Sequence, residues 1–244
     1  MIIYNSDLKI FSSTLINDKD YFSGFSTKEL GDGNKIGTII NFLHENEINY
    51  KTIVSLGQIH STNIEYVRTQ SEELITIEDT DGAVNDQSGV VLSVKTADCL
   101  PIVFLDKRKG LIGISHQGWR GSLKRMTVKM VKKLIEIGGN KNEIIVVIGP
   151  GIGQCCYDVD DDRYYQFLEE FDGYSDKVFL TRHGKKFLNL TLLNYLQLIE
   201  AGIKKEKIDC FPFCTACDKE RFFSFRRIKN KELKEMFSFI IRYN

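Results

Sequence analysis

Five short apolar runs constrain this chain more than any other feature. Thr52–Leu56, Val90–Val94, Ile102–Leu105, Leu111–Ser115 and Ile144–Ile148 are rich in valine and isoleucine and are bounded by polar or glycine-bearing turns. Runs of that length and composition predict buried strands. Helical spacing appears at Ile36, Ile39, Ile40 and Leu43, and again at Leu192, Leu193, Leu196 and Ile199, with Gly202 as the stop. The clearest helix is Ser122–Ile137. It places Leu123, Met126, Met130, Val131, Leu134 and Ile137 on one face and lysines and Arg125 on the others, with Ser122 as N-cap and Gly138-Gly139 at its end. The tail reads as a hairpin, with strand Phe222–Arg227, a polar turn at Lys229–Lys231 and strand Met236–Tyr243. Strands and helices interleave without a regular βαβ alternation. The expected class is therefore α+β with mixed sheets, not a doubly wound parallel sheet. No repeat or linker divides the chain, so one domain over residues 1–244 is expected.

Composition narrows the function. Lysine plus arginine and aspartate plus glutamate each number 33, giving zero net charge, which argues against a nucleic-acid partner held by the overall field. No run of 18 apolar residues exists, and Met1–Ile10 mixes in Asn5, Asp7 and Lys9, so neither a membrane span nor a signal sequence is expected. The six cysteines (Cys99, Cys155, Cys156, Cys210, Cys214 and Cys217) are too few and too clustered for a disulfide framework. They fit a cytoplasmic protein with metal-binding, catalytic or simply buried thiols. Neutrality is also an average. Residues 107–133 hold nine basic residues and no acid, whereas residues 155–176 hold eight acids against Arg163.

Four histidines are present. His60 follows one expected strand, His116 ends another, and Cys99 lies in the turn between two more. Two imidazoles and a thiolate form a three-ligand set that zinc accepts, with a fourth position open. The separation in sequence is long, and the same residues also suit hydrogen-bonded histidines and a buried thiol, so spacing leaves both readings open. The Gly118-Trp119-Arg120-Gly121 turn leads into the basic helix, where free N–H groups and the Arg120 fork suit an anion. Gly149-Pro150-Gly151-Ile152-Gly153 is neither a dinucleotide fingerprint nor a phosphate loop and reads as a turn with Cys155-Cys156 beside it. Cys214-x-x-Cys217 is a lone pair, a poor basis for a structural zinc site. Phe222-Phe223-Ser224-Phe225-Arg226-Arg227 fits either an amphipathic strand or a stacking surface for a base.

Taken together, Gln58-Ile59-His60, Asp81-Gly82-Ala83, Thr96-Ala97-Asp98-Cys99-Leu100-Pro101, His116-Gln117-Gly118-Trp119-Arg120-Gly121, Ile148-Gly149-Pro150-Gly151-Ile152 with Cys156-Tyr157-Asp158-Val159, and Cys214-Thr215 with Phe222–Arg227 resemble the YfiH family, also called laccase-domain or polyphenol oxidase proteins and read more recently as zinc-dependent purine nucleoside phosphorylases. The motifs occur in family order from about Ser23 to the C-terminus. Departures are Ser61 where the family usually has glycine, Gln117 where it usually has alanine, Lys28 in place of arginine in Ser26-Thr27-Lys28, and no recognisable Gly-Arg beyond Arg227.

The resemblance implies a single α+β domain of layered mixed sheets flanked by helices, with a zinc site on His60, Cys99 and His116. It also implies phosphorolysis of adenosine, inosine, guanosine and methylthioadenosine, with adenosine deamination alongside. Cys99, His116 and Asp98 are then the catalytic candidates, and Arg120, Gln58, Phe223, Arg226 and Arg227 the candidate contacts to nucleoside and phosphate. A monomer with purine nucleosides and phosphate as its partners is expected. Three rival functions are carried forward. Cys99 could be the nucleophile of an amide hydrolase acting on peptidoglycan precursors, with His116 or His60 as base. The three ligands could hold copper in an oxidase, with Met126 axial, although four histidines are too few for a multicopper laccase. The pocket could also sense a nucleotide without turnover.

Overall fold

The computed structural model describes residues 1–69, 74–228 and 232–243. Among them, seven strands form one sheet in the spatial order β1 (Ile2–Asn5), β2 (Ile10–Ser13), β3 (Tyr21–Ser26), β16 (Met236–Arg242), β8 (Val90–Thr96), β4 (Thr52–Leu56) and β6 (Leu74–Ile77). Six form a second sheet, in the order β15 (Ile208–Cys210), β11 (Ile144–Ile148), β9 (Leu100–Asp106), β10 (Leu111–Gln117), β7 (Gly82–Asn85) and β5 (Ile64–Tyr66). A small third sheet joins β12 (Asp158–Val159), β14 (Lys185–Leu188) and β13 (Phe179–Arg182). Both large sheets are mixed: β4 runs parallel to β6 and β8, and β11 runs parallel to β15, while β9 lies antiparallel to β10 and β11. The helices are α1 (Ile36–Glu45), α2 (Trp119–Leu123), α3 (Met126–Glu136), α4 (Asp161–Glu170), α5 (Ser175–Val178) and α6 (Leu190–Glu200).

The two large sheets pack face to face, which explains the continuous apolar runs. Side chains alternate across a strand. In β9 and β11, Val103, Leu105 and Val147 meet Val54, Leu92 and Ile240 of the first sheet. Their neighbours Ile102, Phe104, Val146 and Ile148 pack outward against Met130 and Leu134 of α3 and Leu193 and Leu198 of α6. On the far side of the first sheet, Ile53, Val91 and Phe239 pack under Ile39, Phe42 and Leu43 of α1. The layering is helix, sheet, sheet, helix, the expected α+β arrangement. All five expected strands form, two of them with their expected ends, and Gly202 ends α6 with φ +87°. No helix among the described residues is long and apolar enough to cross a membrane.

Two expectations are corrected. The helix expected over Ser122–Ile137 is two helices. It starts earlier, at Trp119, and breaks at Arg125, whose φ of 57° is left-handed. Arg125 is held there by Glu170 of α4 and Glu200 of α6. Ser122 is not an N-cap. It lies inside α2, where its hydroxyl accepts from Asn194 at 2.9 Å and its carbonyl accepts from Gln197 at 2.9 Å. The C-terminal hairpin does not form either. Phe225–Arg227 is a single 3₁₀ turn, and β16 pairs instead with β3 and β8. The segment is held away from strand geometry because Arg227 donates to the carbonyls of Thr215, Ala216 and Phe222, and Asp98 binds Ser224 and the Arg226 amide. The expected turn at Lys229–Lys231 lies outside the described residues.

Candidate metal centre and active-site cavity

The layering brings three chain segments to one end of the stacked sheets: the loop after β4, the turn from β8 to β9, and the end of β10. They carry His60, Cys99 and His116, whose ligand atoms all lie within 4.8 Å of one another. Cys99 Sγ is 3.9 Å from His60 Nε2, and the two imidazoles stand nearly perpendicular with centroids 4.8 Å apart. His60 is exposed, Cys99 half-buried and His116 buried. The close approach depends on Gly118. A Cβ there would stand 2.9 Å from Cys99 Sγ and 3.0 Å from His60 Cδ2.

Behind the cluster sits Asp81, fully buried at the start of β7, and the sequence reading gave it no role of its own. Its Oδ1 lies 2.7 Å from His116 Nδ1 and accepts the His60 amide at 3.1 Å. Its Oδ2 accepts the amides of Ile59 and Ser61 and the Ser61 hydroxyl, at 3.2, 2.6 and 2.7 Å. Burial opposes the charge, but the His116 and Ser61 donors outweigh it and hold the carboxyl at about 2. Ser61, in place of the usual glycine, thus adds a donor to this carboxylate. His116 Nδ1 faces Asp81, leaving Nε2 for a metal, the arrangement in which a carboxylate fixes the tautomer of a metal-binding histidine. The donor set therefore suits a single divalent ion with one open position. Without an ion, burial opposes charge on Cys99 and His116, yet their mutual attraction draws the thiol down to about 7 and the imidazolium up to about 10.

A cavity of about 530 Å³ opens over these residues. Gln58, Asp98, Arg120 and Arg226 line it, but Phe223 and Arg227 do not. Gln58 is held by the Lys95 backbone through both ends of its amide, each at 2.8 Å. The Asp98 carboxylate turns away from the histidines. It accepts from Thr215 Oγ1 at 2.6 Å, Ser224 Oγ at 2.8 Å and the Arg226 amide at 2.7 Å. Phe223 packs against the core between the sheets, and Arg227 is spent on backbone carbonyls, so neither stands at the cavity. Phe225, by contrast, projects at the cavity and is 66% exposed.

Three further lining residues were not singled out from the sequence. Arg163 of α4 and Arg120 both lie over the indole of Trp119, at 4.3 and 4.5 Å from its centroid. The Arg163 Nε is buried and has no hydrogen-bond partner among the described residues. Tyr157 is buried, its hydroxyl pushed up to about 12 by that burial. Burial likewise raises the Glu235 carboxyl, a group at the cavity wall for which no pattern gave warning. Arg163 had one signal: it is the only basic residue in the acidic stretch 155–176.

Residues 34–242 match the family described as multi-copper polyphenol oxidoreductase laccase. The chain belongs to that family. Among its relatives, it is 29% identical to the Bacillus subtilis protein named purine nucleoside phosphorylase YlmD, over 94% of this chain and 91% of that one. It is 32% identical to adenosine deaminase RL5, from an unknown prokaryotic organism, over 64% of this chain and 60% of that protein. The crystal structure of the Bacillus licheniformis hypothetical protein YfiH superposes with a TM-score of 0.82 at 31% identity, over 91% of this chain and 92% of that one. The motif resemblance to the YfiH family is thereby established across most of the chain. The family's descriptive name refers to several coppers, but the site holds two histidines. His44 stacks on Tyr50 and His183 is exposed in the turn between β13 and β14. Met126, the proposed axial ligand, is buried in the core against Gly82.

Proposed function

We propose that the protein is a zinc-dependent purine nucleoside phosphorylase that also deaminates adenosine. The observation that carries this reading is a His–Cys–His set on the floor of a cavity whose wall bears the unpartnered Arg163 donor beside Arg120. The relatives named as purine nucleoside phosphorylase and adenosine deaminase support it. His60, Cys99 and His116 would hold the zinc, which would supply Lewis-acid chemistry at the cavity floor. Arg163 and Arg120 hold the phosphate anion against Trp119. Ile152, Tyr157, Leu190 and Phe225 give the base and ribose an apolar wall that excludes water. A phosphate oxygen attacks the ribose C1′, the bond from C1′ to the purine nitrogen breaks, and the departing purine takes up a proton. Glu235, at the cavity wall with its carboxyl raised by burial, is the donor for that proton. In deamination, water attacks the purine C6 and ammonia leaves. Asp98 acts as a positioning residue for the Cys99 turn. The test is ribose 1-phosphate formation from inosine and phosphate by zinc-loaded protein. Loss of activity together with the zinc held at His60, Cys99 and His116 is the expected result in Cys99→Ala, and a Cys99→Ala protein that stays active without that zinc refutes it.

A second reading rests on one observation: Cys99, His116 and Asp81 also stand in the order of a thiol nucleophile, its base and the group that orients the base. An amide hydrolase of that kind works without metal, and stoichiometric alkylation of Cys99 abolishes it. Tight zinc that shields the thiol excludes it.

A further inference from the structure

The lone Cys214-x-x-Cys217 pair acquires a partner in the fold. Strands β11 and β15 run parallel, with Ile148 opposite Cys210, so the loops that follow them leave the sheet on the same side and in the same direction. The first loop carries Cys155 and Cys156, and the second carries Cys214 and Cys217. A bridge between Gly151 and Cys214, with the Thr215 amide donating to the Gly151 carbonyl at 3.0 Å, fixes one loop against the other. The four Sγ atoms lie within 4.8 Å of one another. Cys217 Sγ is 3.4 Å from both Cys155 Sγ and Cys156 Sγ, and all four are free thiols.

We propose that Cys155, Cys156, Cys214 and Cys217 form a second, structural zinc site, separate from the His60–Cys99–His116 centre. Four thiolates each ~2.3 Å from one tetrahedral ion stand ~3.8 Å apart, which is the spacing of a single-ion site and is tighter than a cluster of several irons needs. Zinc favours four thiolates, whereas copper(I) is content with fewer. The surroundings compensate the excess negative charge of such a site. The Gly153 amide donates to Cys214 Sγ at 3.1 Å, Arg182 donates to the Cys155 carbonyl at 3.0 Å, and Arg226 donates to the Cys156 carbonyl at 3.2 Å. The Gly153 N–H···S bond is a supporting contact of the kind that tunes a thiolate metal site, and the two arginines bring positive charge to the same loop. Left as thiols, the four sulfurs crowd one another, with Cys217 Sγ against two of them. With four protein ligands the site has no open position, so its role is to hold rather than to react. It pins the loop bearing Ile152 and Tyr157 to the segment that leads through Thr215 to Ser224 and Arg226. One wall of the cavity is thereby tied to the Cys99 turn through Asp98.

The inference does not depend on the proposed reaction, because the measurement is metal content. Elemental analysis of the full chain purified with zinc is expected to give two ions per chain. Cys99→Ala is expected to keep one, and the double variant Cys155→Ser/Cys217→Ser also one, from the other site. A wild type with one ion that the serine variant retains overturns the proposal, as does a double variant that still binds two. The second measurement needs no variant. Cys155 and Cys217 are exposed, so open thiols there react at once with iodoacetamide. Peptide mapping of the zinc-replete protein is expected to find both protected, with labelling at least ten-fold faster after chelation. Equal labelling before and after chelation refutes the site, and so does a disulfide between any two of the four that survives zinc loading under reducing conditions.

Discussion

Asp81→Asn tests the construction of the proposed metal centre most directly. The carboxylate serves donors on both oxygens: His116 Nδ1 and the His60 amide on Oδ1, and the Ile59 and Ser61 amides with the Ser61 hydroxyl on Oδ2. An asparagine has the same shape but only one accepting oxygen. Either orientation of the amide sets an NH₂ group against at least two donors, and each charge-assisted bond left unmade costs ~1.5–3 kcal/mol. If the NH₂ faces His116, the imidazole can recover one bond only by moving its proton from Nδ1 to Nε2, the nitrogen the metal needs. The expected loss in zinc affinity is ~10–100-fold, the usual scale for removing such an orienting partner.

The metal-free proteins separate this effect from binding. A carboxyl lowered from 3.8 to about 2 contributes roughly 2 kcal/mol of stability at ~1.4 kcal/mol per pH unit. Because the folded value lies below the unfolded one, that contribution is complete above pH ~4 and disappears as pH falls toward 2. Urea unfolding followed by the fluorescence of Trp119, the single tryptophan, reads it out. Wild type should lose roughly 2 kcal/mol more than Asp81→Asn between pH 4 and the acid end of the titration. Zinc binding within two-fold of wild type, together with an unchanged urea midpoint at pH 7, refutes the role given to Asp81.

Other substitutions probe the remaining parts. Gly118→Ala pushes a methyl into Cys99 and His60 at the 2.9 and 3.0 Å approaches, so bound zinc should fall by at least ten-fold in a chelator competition while the circular dichroism stays unchanged. Arg163→Ala should raise KM for phosphate ~10-fold or more, the worth of one charge-assisted hydrogen bond, and leave KM for inosine within two-fold; an effect on inosine alone counts against the anion role. In metal-free protein, alkylation of Cys99 should rise with pH around a midpoint near 7, because the thiolate is the reactive form, and should be blocked by zinc; a midpoint at the ordinary thiol value of 9.0 contradicts the pairing with His116. Asp98→Ala should destabilise the fold by ~2–4 kcal/mol in urea, since it leaves the Thr215 and Ser224 hydroxyls and the Arg226 amide without their acceptor; loss of turnover with full stability would instead place Asp98 in the chemistry.

What the sequence made legible follows from what is local. Thr52–Leu56 and Ile144–Ile148 could be read to the residue because a strand with sheet on one face and helix on the other must be apolar throughout. The break between α2 and α3 was invisible because the apolar period runs across it from Leu123 to Met126, while the residues that hold Arg125 lie 45 and 75 positions away. The strand expected at Phe222–Arg227 failed for a similar reason: its aromatic alternation was overridden by hydrogen bonds to Asp98 far upstream. His60, Cys99 and His116 stood out as strand-end residues of the right chemistry, but only the family motifs favoured a metal site over ordinary buried groups, since nothing in their spacing shows that three strand ends converge. Asp81 stands within the Asp81-Gly82-Ala83 motif, but its place beside His116 depends on β7 pairing with β10, which sets Gly82 opposite Ser115. Gln117 shows how a departure is absorbed. The side chain is fully buried, yet its amide donates to Ser115 Oγ at 3.0 Å and its oxygen faces the Thr127 hydroxyl at 2.8 Å, which in turn lies 2.6 Å from Asn194. A polar residue at an alanine position is thus tolerated because α3 and α6 supply its partners.

Asp98 ties these observations into one mechanical argument. Its φ of 89° lies in a left-handed region that an aspartate enters more readily than most residues. The carboxylate meets the 215–226 segment, while the next residue, Cys99, lies with its thiol beside the two histidines. The backbone reinforces the turn, since the Asp98 carbonyl accepts the Ile152 amide at 2.8 Å. Two loops that line the cavity, one holding Ile152 and Tyr157 and the other Arg226, are therefore fastened to the residue beside the Cys99 thiol. A four-cysteine zinc site would fasten the same two loops to each other from behind. Movement of either loop then cannot leave Cys99 where it is, and the geometry of the proposed metal centre becomes a property of these two loops as well as of its three ligands.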